Sequence, residues 1–433
     1  LYRIHWFNGE GKDGLLDTPD WIEVPPALSG VEARIIVVLG DAFPMIGAHK
    51  VLAAYACLVS RLVTGRFDPT ANKAIWPSTG NYCRGGVAIS RILGCRGVAV
   101  LPEQMSRERF EWLESWTLRP EEDIVRTVGS ESNVKEIYDA CDAISRDPSS
   151  VVLNQFNEFA NYLCHRRVTG PALGELYRGI ADKGDNFHAF IAGTGSAGTI
   201  AAGDYLKKEF GARIVATEPV ECPTMLNNGY GEHNIQGIGD KHIPLIQNVM
   251  NMDAVVGVSD SAPEQMNLLF NTPAGRQFLA RRTGVDDSTL RRFSRVGISG
   301  LANIQSAIKL AMHNDLDQSD IMVCVATDGA DLYRSEMEST RNRVFGGEFG
   351  EVEAAEAYGR CNAGCEPAHV LEMTRTERER ILNLGYNTWV EQRDVSLTDF
   401  DARRKQSFWD DIASEVEAWD ELIEGFNAAT GTA

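Results

Sequence analysis

The sequence predicts an α/β fold, on three observations. Short apolar, β-rich runs stand at residues 34–39, 97–101, 189–192, 213–216 and 321–326, helical spacing of apolar residues follows them, and the strand signal ends near Arg334. Alternation of this kind is what a parallel sheet requires, because each parallel strand needs a crossover, usually a helix, to bring the chain back to the same end. Such sheets gather ligands at the carboxyl ends of their strands, so the loops after the runs are where chemistry is to be sought.

Composition narrows the class. The chain has 433 residues, 43% hydrophobic and 24% charged, an ordinary globular balance with room for two or three structural units. Its 42 Lys and Arg stand against 61 Asp and Glu, and a net charge of −19 argues against nucleic acid, which needs a basic face. The longest uncharged run near Lys50 stops at Arg61, too short to cross a bilayer, and the opening stretch lacks the basic-then-apolar profile of a secretory leader. Nine Cys, an odd number without a repeating framework, suit reduced thiols, so a cytoplasmic protein is expected. Cys361 and Cys365 are close in sequence, but with His369 they fall short of a four-ligand zinc site, and no metal is expected. After Arg334 the charged sequence, including the acidic stretch from Trp409 to Glu424, keeps helical spacing and predicts a helical extension packed on the body or on a second subunit.

Four loops carry the chemistry. Gly47-Ala48-His49-Lys50 follows the first run and leads into an apolar helical segment; a lysine so placed is desolvated, which lowers its pKa and prepares it for Schiff-base formation, although a surface lysine is the plain alternative. Ser78-Thr79-Gly80-Asn81-Tyr82 precedes a helix and offers hydroxyls, free amides and a helix N-terminus to a carboxylate, where otherwise it would be a simple capping loop. Gly193-Thr194-Gly195-Ser196-Ala197-Gly198 follows a strand and satisfies the dinucleotide pattern G-x-G-x-x-G, with Glu218 closing the next strand where a ribose-binding acid would stand. The physics of that loop specifies only a phosphate; the hydroxyls of Thr194, Ser196 and Thr199 favour a compact phosphomonoester. Finally Ala326-Thr327-Asp328-Gly329 ends the last run.

Taken with Gly237-Ile238-Gly239, Ile243-Pro244 and Gly297-Ile298-Ser299-Gly300, these segments from about residue 35 to 335 resemble, in their order, the fold-type II pyridoxal phosphate (PLP) enzymes, the group of cysteine synthase and cystathionine β-synthase; the His-Lys pair is similar to that of the tryptophan synthase β subunit. The resemblance implies two three-layer αβα domains of tryptophan synthase β-like architecture. A large PLP-binding domain would comprise residues 1–81 and 189–335, a smaller, movable one 82–188, and a helical extension 336–433. It implies that Lys50 holds PLP, with His49 beside it. Asn81 would bond the ring oxygen, Gly195, Ser196, Ala197, Gly198 and Thr199 would hold the phosphate, and Ser78, Thr79, Gly80, Asn81 and Tyr82 would take the substrate carboxylate. Thr327 is the expected partner of the pyridine nitrogen, with Asp328 the alternative in the other register; a neutral hydroxyl there favours β-elimination, a carboxylate a wider range of reactions.

The implied activity is a PLP-dependent lyase or β-replacement enzyme acting, in a homodimer, on an amino acid with a leaving group on its β carbon. Lys50 would remove the α proton, and the resulting aminoacrylate would take a nucleophile or decompose to keto acid and ammonia. Two features depart from cysteine synthase. The residues after Lys50 lack the Asn/Asp-Arg common there, and Asp240-Lys241-His242 puts charge where the β substituent should sit, with Lys241 and His242 as candidate anion-binding residues if they are not a solvated rim. The alternatives are an NAD(P)-dependent oxidoreductase using the Gly193–Gly198 loop and a non-catalytic PLP-binding partner subunit.

Overall fold

A computed structural model describes residues 4–11 and 14–431. Among these, eleven strands form two sheets: β1 (Trp21–Val24), β2 (Arg34–Leu39), β3 (Lys73–Pro77), β4 (Gly97–Pro102), β5 (Ile124–Thr127), β6 (Ser150–Val152), β7 (Asn186–Gly193), β8 (Arg213–Pro219), β9 (Ala254–Val258), β10 (Asp320–Ala326) and β11 (Val370–Glu372). The larger sheet has the order β1-β2-β10-β7-β8-β9-β11, parallel except for its antiparallel edges β1 and β11. The smaller, β5-β4-β3-β6, is parallel throughout.

Strand periodicity explains why the central runs are apolar at successive positions once past their first residue. Ile36 and Val38 of β2 face one core, with Phe190, Ala192, Val323 and Val325 from β7 and β10. Their neighbours Ile35, Val37, Ala189, Ile191, Met322 and Cys324 face the opposite core, backed by Leu301, Ile304 and Ile308 of the helix Ile298–Asn314. A strand covered on both faces needs no polar side, and each buried Val, Leu or Ile stabilises the fold by about 1.5–3 kcal/mol. The first core also holds Ala74, Trp76 and Ala99 of the smaller sheet and Val51, Leu52 and Leu58 of the helix Lys50–Val63, so that helix lies in an apolar layer continuous between the two sheets.

The five expected runs coincide with β2, β4, β7, β8 and β10. Two boundaries differ from expectation. β3 pairs with β4 and β6, so the segment 1–81 is shared between the sheets rather than confined to the larger one. The C-terminal extension, helical in its elements Arg375–Leu384 and Gln406–Thr430, also sends β11 back to pair with β9; three residues of partly exposed edge strand leave no recognisable alternation. Helix Gln406–Thr430 buries Trp409 and Ala413 against Tyr162, Leu163 and Ile246 and leaves its acidic residues exposed. No described helix is long and apolar enough to cross a membrane.

Candidate active site

Lys50 opens the helix that follows β2, and the turn before it is tied to the far end of β10. The His49 amide donates to the Thr327 carbonyl at 3.0 Å, and Ala48 bridges Asp328. The lysine is thus fixed over the carboxyl edge of the larger sheet, where its Nζ donates to Ser196 Oγ at 3.0 Å and to Gln155 Oε1 at 3.3 Å. Burial lowers the ammonium to about 8, with Asp240 the largest charge opposing the shift. A fraction of neutral amine is therefore present near neutral pH, as a nucleophile or base requires.

Two adjoining cavities share Lys50, Gly195, Ser196, Gly237 and Thr327 in their walls. The first is lined by the rest of the glycine loop, Ala197, Gly198 and Thr199, with Ile238, Ser299 and Asn303. Here β7 ends and the chain turns into the 3-10 turn Thr199–Ala201 and helix Ala202–Phe210. Ala197 takes φ +60°, a left-handed conformation costly for a residue with a Cβ. Among the described residues the amides of Ser196, Ala197 and Gly198 have no protein acceptor, although Ser196 and Ala197 are buried. Buried donors left without partners ask for a ligand, and successive amides at a helix entrance suit a phosphate. A Cβ at Gly198 would stand 2.2 Å from Asn161 Oδ1, so the loop must be bare there. Asn161 in turn donates to Ser196 Oγ at 3.0 Å and holds that hydroxyl toward Lys50.

His49 lies behind this loop, fully buried, its Nε2 2.8 Å from Thr199 Oγ1. Burial and the nearby Lys50 push its pKa down to about 3, so it is a neutral imidazole that orients Thr199 and lines neither cavity.

The second cavity is lined by Ser78, Thr79, Asn81 and Tyr82 together with Glu131, Gln155, Phe156 and Asp240, and the Thr79 side chain is hydrogen-bonded to Glu131. Gly80 enters helix Asn81–Ile92 at φ +147°, and a side chain there would strike Arg109 at 2.5 Å. Ser78 Oγ accepts the Gly80 amide at 3.0 Å, while the Tyr82 hydroxyl is turned to the Leu153 carbonyl at 3.0 Å. The first amides of the helix thus face the cavity with their positive potential uncompensated by any acidic first-turn residue.

Thr327 stands on the wall common to both cavities, whereas Asp328 is enclosed in a polar cluster beyond it. Asp328 Oδ2 accepts from Asn81 Nδ2 at 2.6 Å and from the Tyr333 hydroxyl at 2.9 Å, with Arg109 3.8 Å away. Burial pushes this carboxyl up, against the pull of Arg109, Asn81 and Tyr333. Asn81 Oδ1 accepts from Arg84 at 2.8 Å, which leaves one amide hydrogen of Asn81 for the cavity it lines.

The triplet 240–242 divides in an unexpected way. Asp240 faces Lys50's cavity, but Lys241 is exposed and His242 is packed on Phe156, Tyr138 and Trp389, and both line a separate surface groove. Lys241 and His242, expected as anion-binding residues, therefore do not line this cavity, and the member of the triplet that does is the acid Asp240. No motif in the sequence marks Glu131. It follows β5, and Gln155 follows β6, both at strand carboxyl ends where ligands collect, but those strands are short and half-buried and carry no apolar run to announce them.

The oxidoreductase alternative loses its acid. Glu218 is buried, and its two oxygens accept the amides of Met225 at 2.9 Å and Leu226 at 2.7 Å. Both are thereby committed to capping a turn rather than to a ribose.

A family model described as "Pyridoxal-phosphate dependent enzyme" matches residues 22–271. A probable cysteine synthase of Bacillus subtilis is 28% identical over 291 residues, covering 67% of this chain and 85% of that protein. Cysteine synthase A of Escherichia coli is 28% identical over 267 residues, 58% of this chain and 73% of its own. Among solved structures, a hydrogen sulfide-producing enzyme of Fusobacterium nucleatum superposes with TM-score 0.60 at 23% identity, over 82% of this chain and 95% of that one. An O-acetylserine dependent cystathionine beta-synthase of Helicobacter pylori gives 0.59 at 21%, over 73% and 94%. With a lysine of lowered pKa beside a loop of unpartnered amides, and a family match spanning more than half its length, the chain belongs to the pyridoxal-phosphate dependent enzymes and PLP is its cofactor.

Proposed function

We propose that the chain catalyses β-elimination or β-replacement on an amino acid bearing a leaving group on its β carbon. The observation that carries this is Lys50: one amine, lowered to about 8, stands on the wall between the cavity of the glycine loop and the cavity of the Ser78–Tyr82 loop. Relatives named as cysteine synthases support the reaction class.

The glycine loop would hold the cofactor phosphate through the amides of Ser196, Ala197 and Gly198 and the hydroxyl of Thr199, which His49 orients. The remaining hydrogen of Asn81 would bond the ring oxygen, and Thr327, on the shared wall, would meet the pyridine nitrogen. Bound there, PLP supplies the electron sink that makes the α proton of an amino acid acidic. The substrate carboxylate docks at Thr79, Asn81 and Tyr82, at the positive end of helix Asn81–Ile92, and this sets the α carbon toward Lys50. The neutral Lys50 amine takes the α proton. Ser196 and Gln155, each within hydrogen-bond reach of Nζ, keep the amine aimed at the junction of the two cavities. A neutral hydroxyl at Thr327, rather than a carboxylate, suits loss of a β substituent.

The test is Lys50→Ala, assayed with β-chloroalanine for keto acid release and by the absorbance of the lysine-bound cofactor. Both signals should vanish. Unchanged turnover in the variant would refute the assignment, and so would a wild-type enzyme that binds PLP covalently yet releases nothing from β-substituted amino acids while reacting at another position.

A further inference from the structure

The second cavity contains two acids that the reaction described above does not use. Glu131 and Asp240 are 2% and 7% exposed, both line the cavity with Lys50, and each has a buried oxygen, Oε2 and Oδ2, with no hydrogen-bond partner. The other oxygen of Glu131 accepts the Gly237 amide at 2.8 Å. A buried, unpartnered carboxylate oxygen is expensive, and two of them on one cavity are more so, because like charges in a medium of low dielectric cannot both ionise readily. Both carboxyls are accordingly held high: Glu131 to about 7, chiefly by burial, and Asp240 well above the carboxylate range by burial and by the charge of Glu131.

The cavity's geometry assigns the pair a place. If the substrate carboxylate docks at the Ser78–Tyr82 loop and its α carbon faces Lys50, the β substituent extends into the rest of the cavity, which Gln155, Phe156 and Asp240 line together with Glu131, itself hydrogen-bonded to Thr79. The inference rests on that proposed function. Thr79 hydrogen-bonds Glu131 and, with Arg109 and Lys50, draws it down, while Lys50 also draws Asp240 down; of the neutral titratable groups, Tyr333 stands near Glu131, and Tyr138 and Cys222 stand near Asp240. The backbone bearing Asp240 is rigid: the Gly239 amide donates to the Thr194 carbonyl at 2.8 Å and Thr224 Oγ1 to the Asp240 carbonyl at 2.8 Å. Further on, the indole of Trp389 holds the Ile243 carbonyl at 2.7 Å.

We propose that Glu131 and Asp240 hold one proton between them at the β-substituent end of the cavity, so that the site takes neutral or cationic β substituents in preference to anionic ones and protonates the atom that leaves. The step balances. As the Cα–H bond breaks, its proton passes to the Lys50 amine and its electron pair forms the Cα–Cβ double bond. The Cβ–X bond breaks with its pair on X, and X takes the proton of the carboxylate pair to leave as HX. An amine and a singly protonated pair become an ammonium and two carboxylates, so the net charge of these groups is unchanged. An anionic substituent such as a phosphate meets an acidic wall, while a thioether or ether, whose departure needs a proton, meets an acid.

The holoenzyme tests this with S-methylcysteine, O-phosphoserine and β-chloroalanine, whose chloride leaves without a proton. Wild type should turn over S-methylcysteine with kcat/KM at least roughly tenfold above that for O-phosphoserine. Asp240→Asn and Glu131→Gln, close in shape to the native residues, should each lower kcat on S-methylcysteine by about 100-fold relative to β-chloroalanine, the range of a lost general acid. The wild-type kcat on S-methylcysteine should also fall on the alkaline side as the pair loses its last proton, a limb absent from the β-chloroalanine profile. Equal turnover of O-phosphoserine and S-methylcysteine by wild type, or equal losses on S-methylcysteine and β-chloroalanine in both variants, would overturn the proposal while chloride release leaves the β-elimination function standing. If wild type releases keto acid from none of the three, that function fails and the carboxylate pair falls with it.

Discussion

Asn81 Nδ2 reaches Asp328 Oδ2 at 2.6 Å, joining the first residue of a helix packed on the smaller sheet to the loop after β10 of the larger one. Arg109 extends the link, since its Nη2 donates at 2.8 Å to the Tyr333 hydroxyl, which itself donates to Asp328. The carboxylate therefore ties both sheets to the edge of the cavity, from a position where it is satisfied by protein groups alone.

Asn81→Ala removes one donor from a fully buried carboxylate and the amide that lines the cavity. The expected loss is about 1–3 kcal/mol of stability, read as a lower urea midpoint at unchanged slope, together with faster release of PLP. Tyr333→Phe removes a donor from the same carboxylate outside the cavity; it should lower the midpoint by a comparable amount and leave cofactor release as it was. Cofactor release that changes equally in both would show that Asn81 acts only through Asp328.

Reconstitution should depend on pH through Lys50. The ordinary lysine value is 10.5, and burial lowers this one to about 8. Only the neutral amine attacks the cofactor aldehyde, so below about pH 8 the rate constant for covalent loading of apoenzyme should fall nearly tenfold per pH unit, and above it the rate should level off. Stopped-flow absorbance at saturating PLP measures this. A rate still climbing through pH 10 would place the lysine in water rather than in the cavity.

The central strands were legible because burial on both faces keeps their middles apolar: β2, β8 and β10 are buried at every residue after the first, and β7 from Ala189 to Ala192. β5 and β6 are not. They have four and three residues, mostly half-exposed, and look like loop. The same contrast governs the site. Lys50, Ser78–Tyr82, Gly195–Thr199 and Thr327 are announced by glycine, hydroxyl or lysine motifs beside recognisable strands. Glu131 has no motif, and its significance arises from burial and from a cavity formed by residues distant in sequence. Asp240, Lys241 and His242 are adjacent, yet one faces the cavity, one faces solvent and one joins an aromatic cluster. Composition could show that charge was present there, but only the path of the chain decides which sign reaches the substrate.

Gly198→Ala tests the cradle directly. Its added carbon would stand 2.2 Å from Asn161 Oδ1, and Asn161 also donates to the Gln155 carbonyl and to Ser196 Oγ, both at 3.0 Å. The overlap must displace either the loop or the asparagine, and in both cases Ser196 is lost from its place beside Lys50. Retention of PLP through gel filtration should fall by at least roughly tenfold, a cost of about 1.4 kcal/mol or more in binding. The secondary structure read by circular dichroism should be retained, because the clash is confined to one loop at the edge of the sheet.

Trp389, wholly buried in the C-terminal extension, acts on the cavity at one remove. Its indole N–H holds the Ile243 carbonyl at 2.7 Å and its ring packs 5.8 Å from His242, so it braces the chain just beyond Asp240. Trp389→Ala should cost about 3–5 kcal/mol, the range for emptying a buried aromatic site. Trp389→Phe keeps most of the volume and loses the hydrogen bond, for about 1 kcal/mol and the desolvated carbonyl left behind. If the extension positions Asp240, the phenylalanine variant should reduce turnover of S-methylcysteine more than that of β-chloroalanine, at a temperature well below its unfolding midpoint. Equal turnover ratios in Trp389→Phe and wild type, with the stability loss present, would restrict the extension to packing.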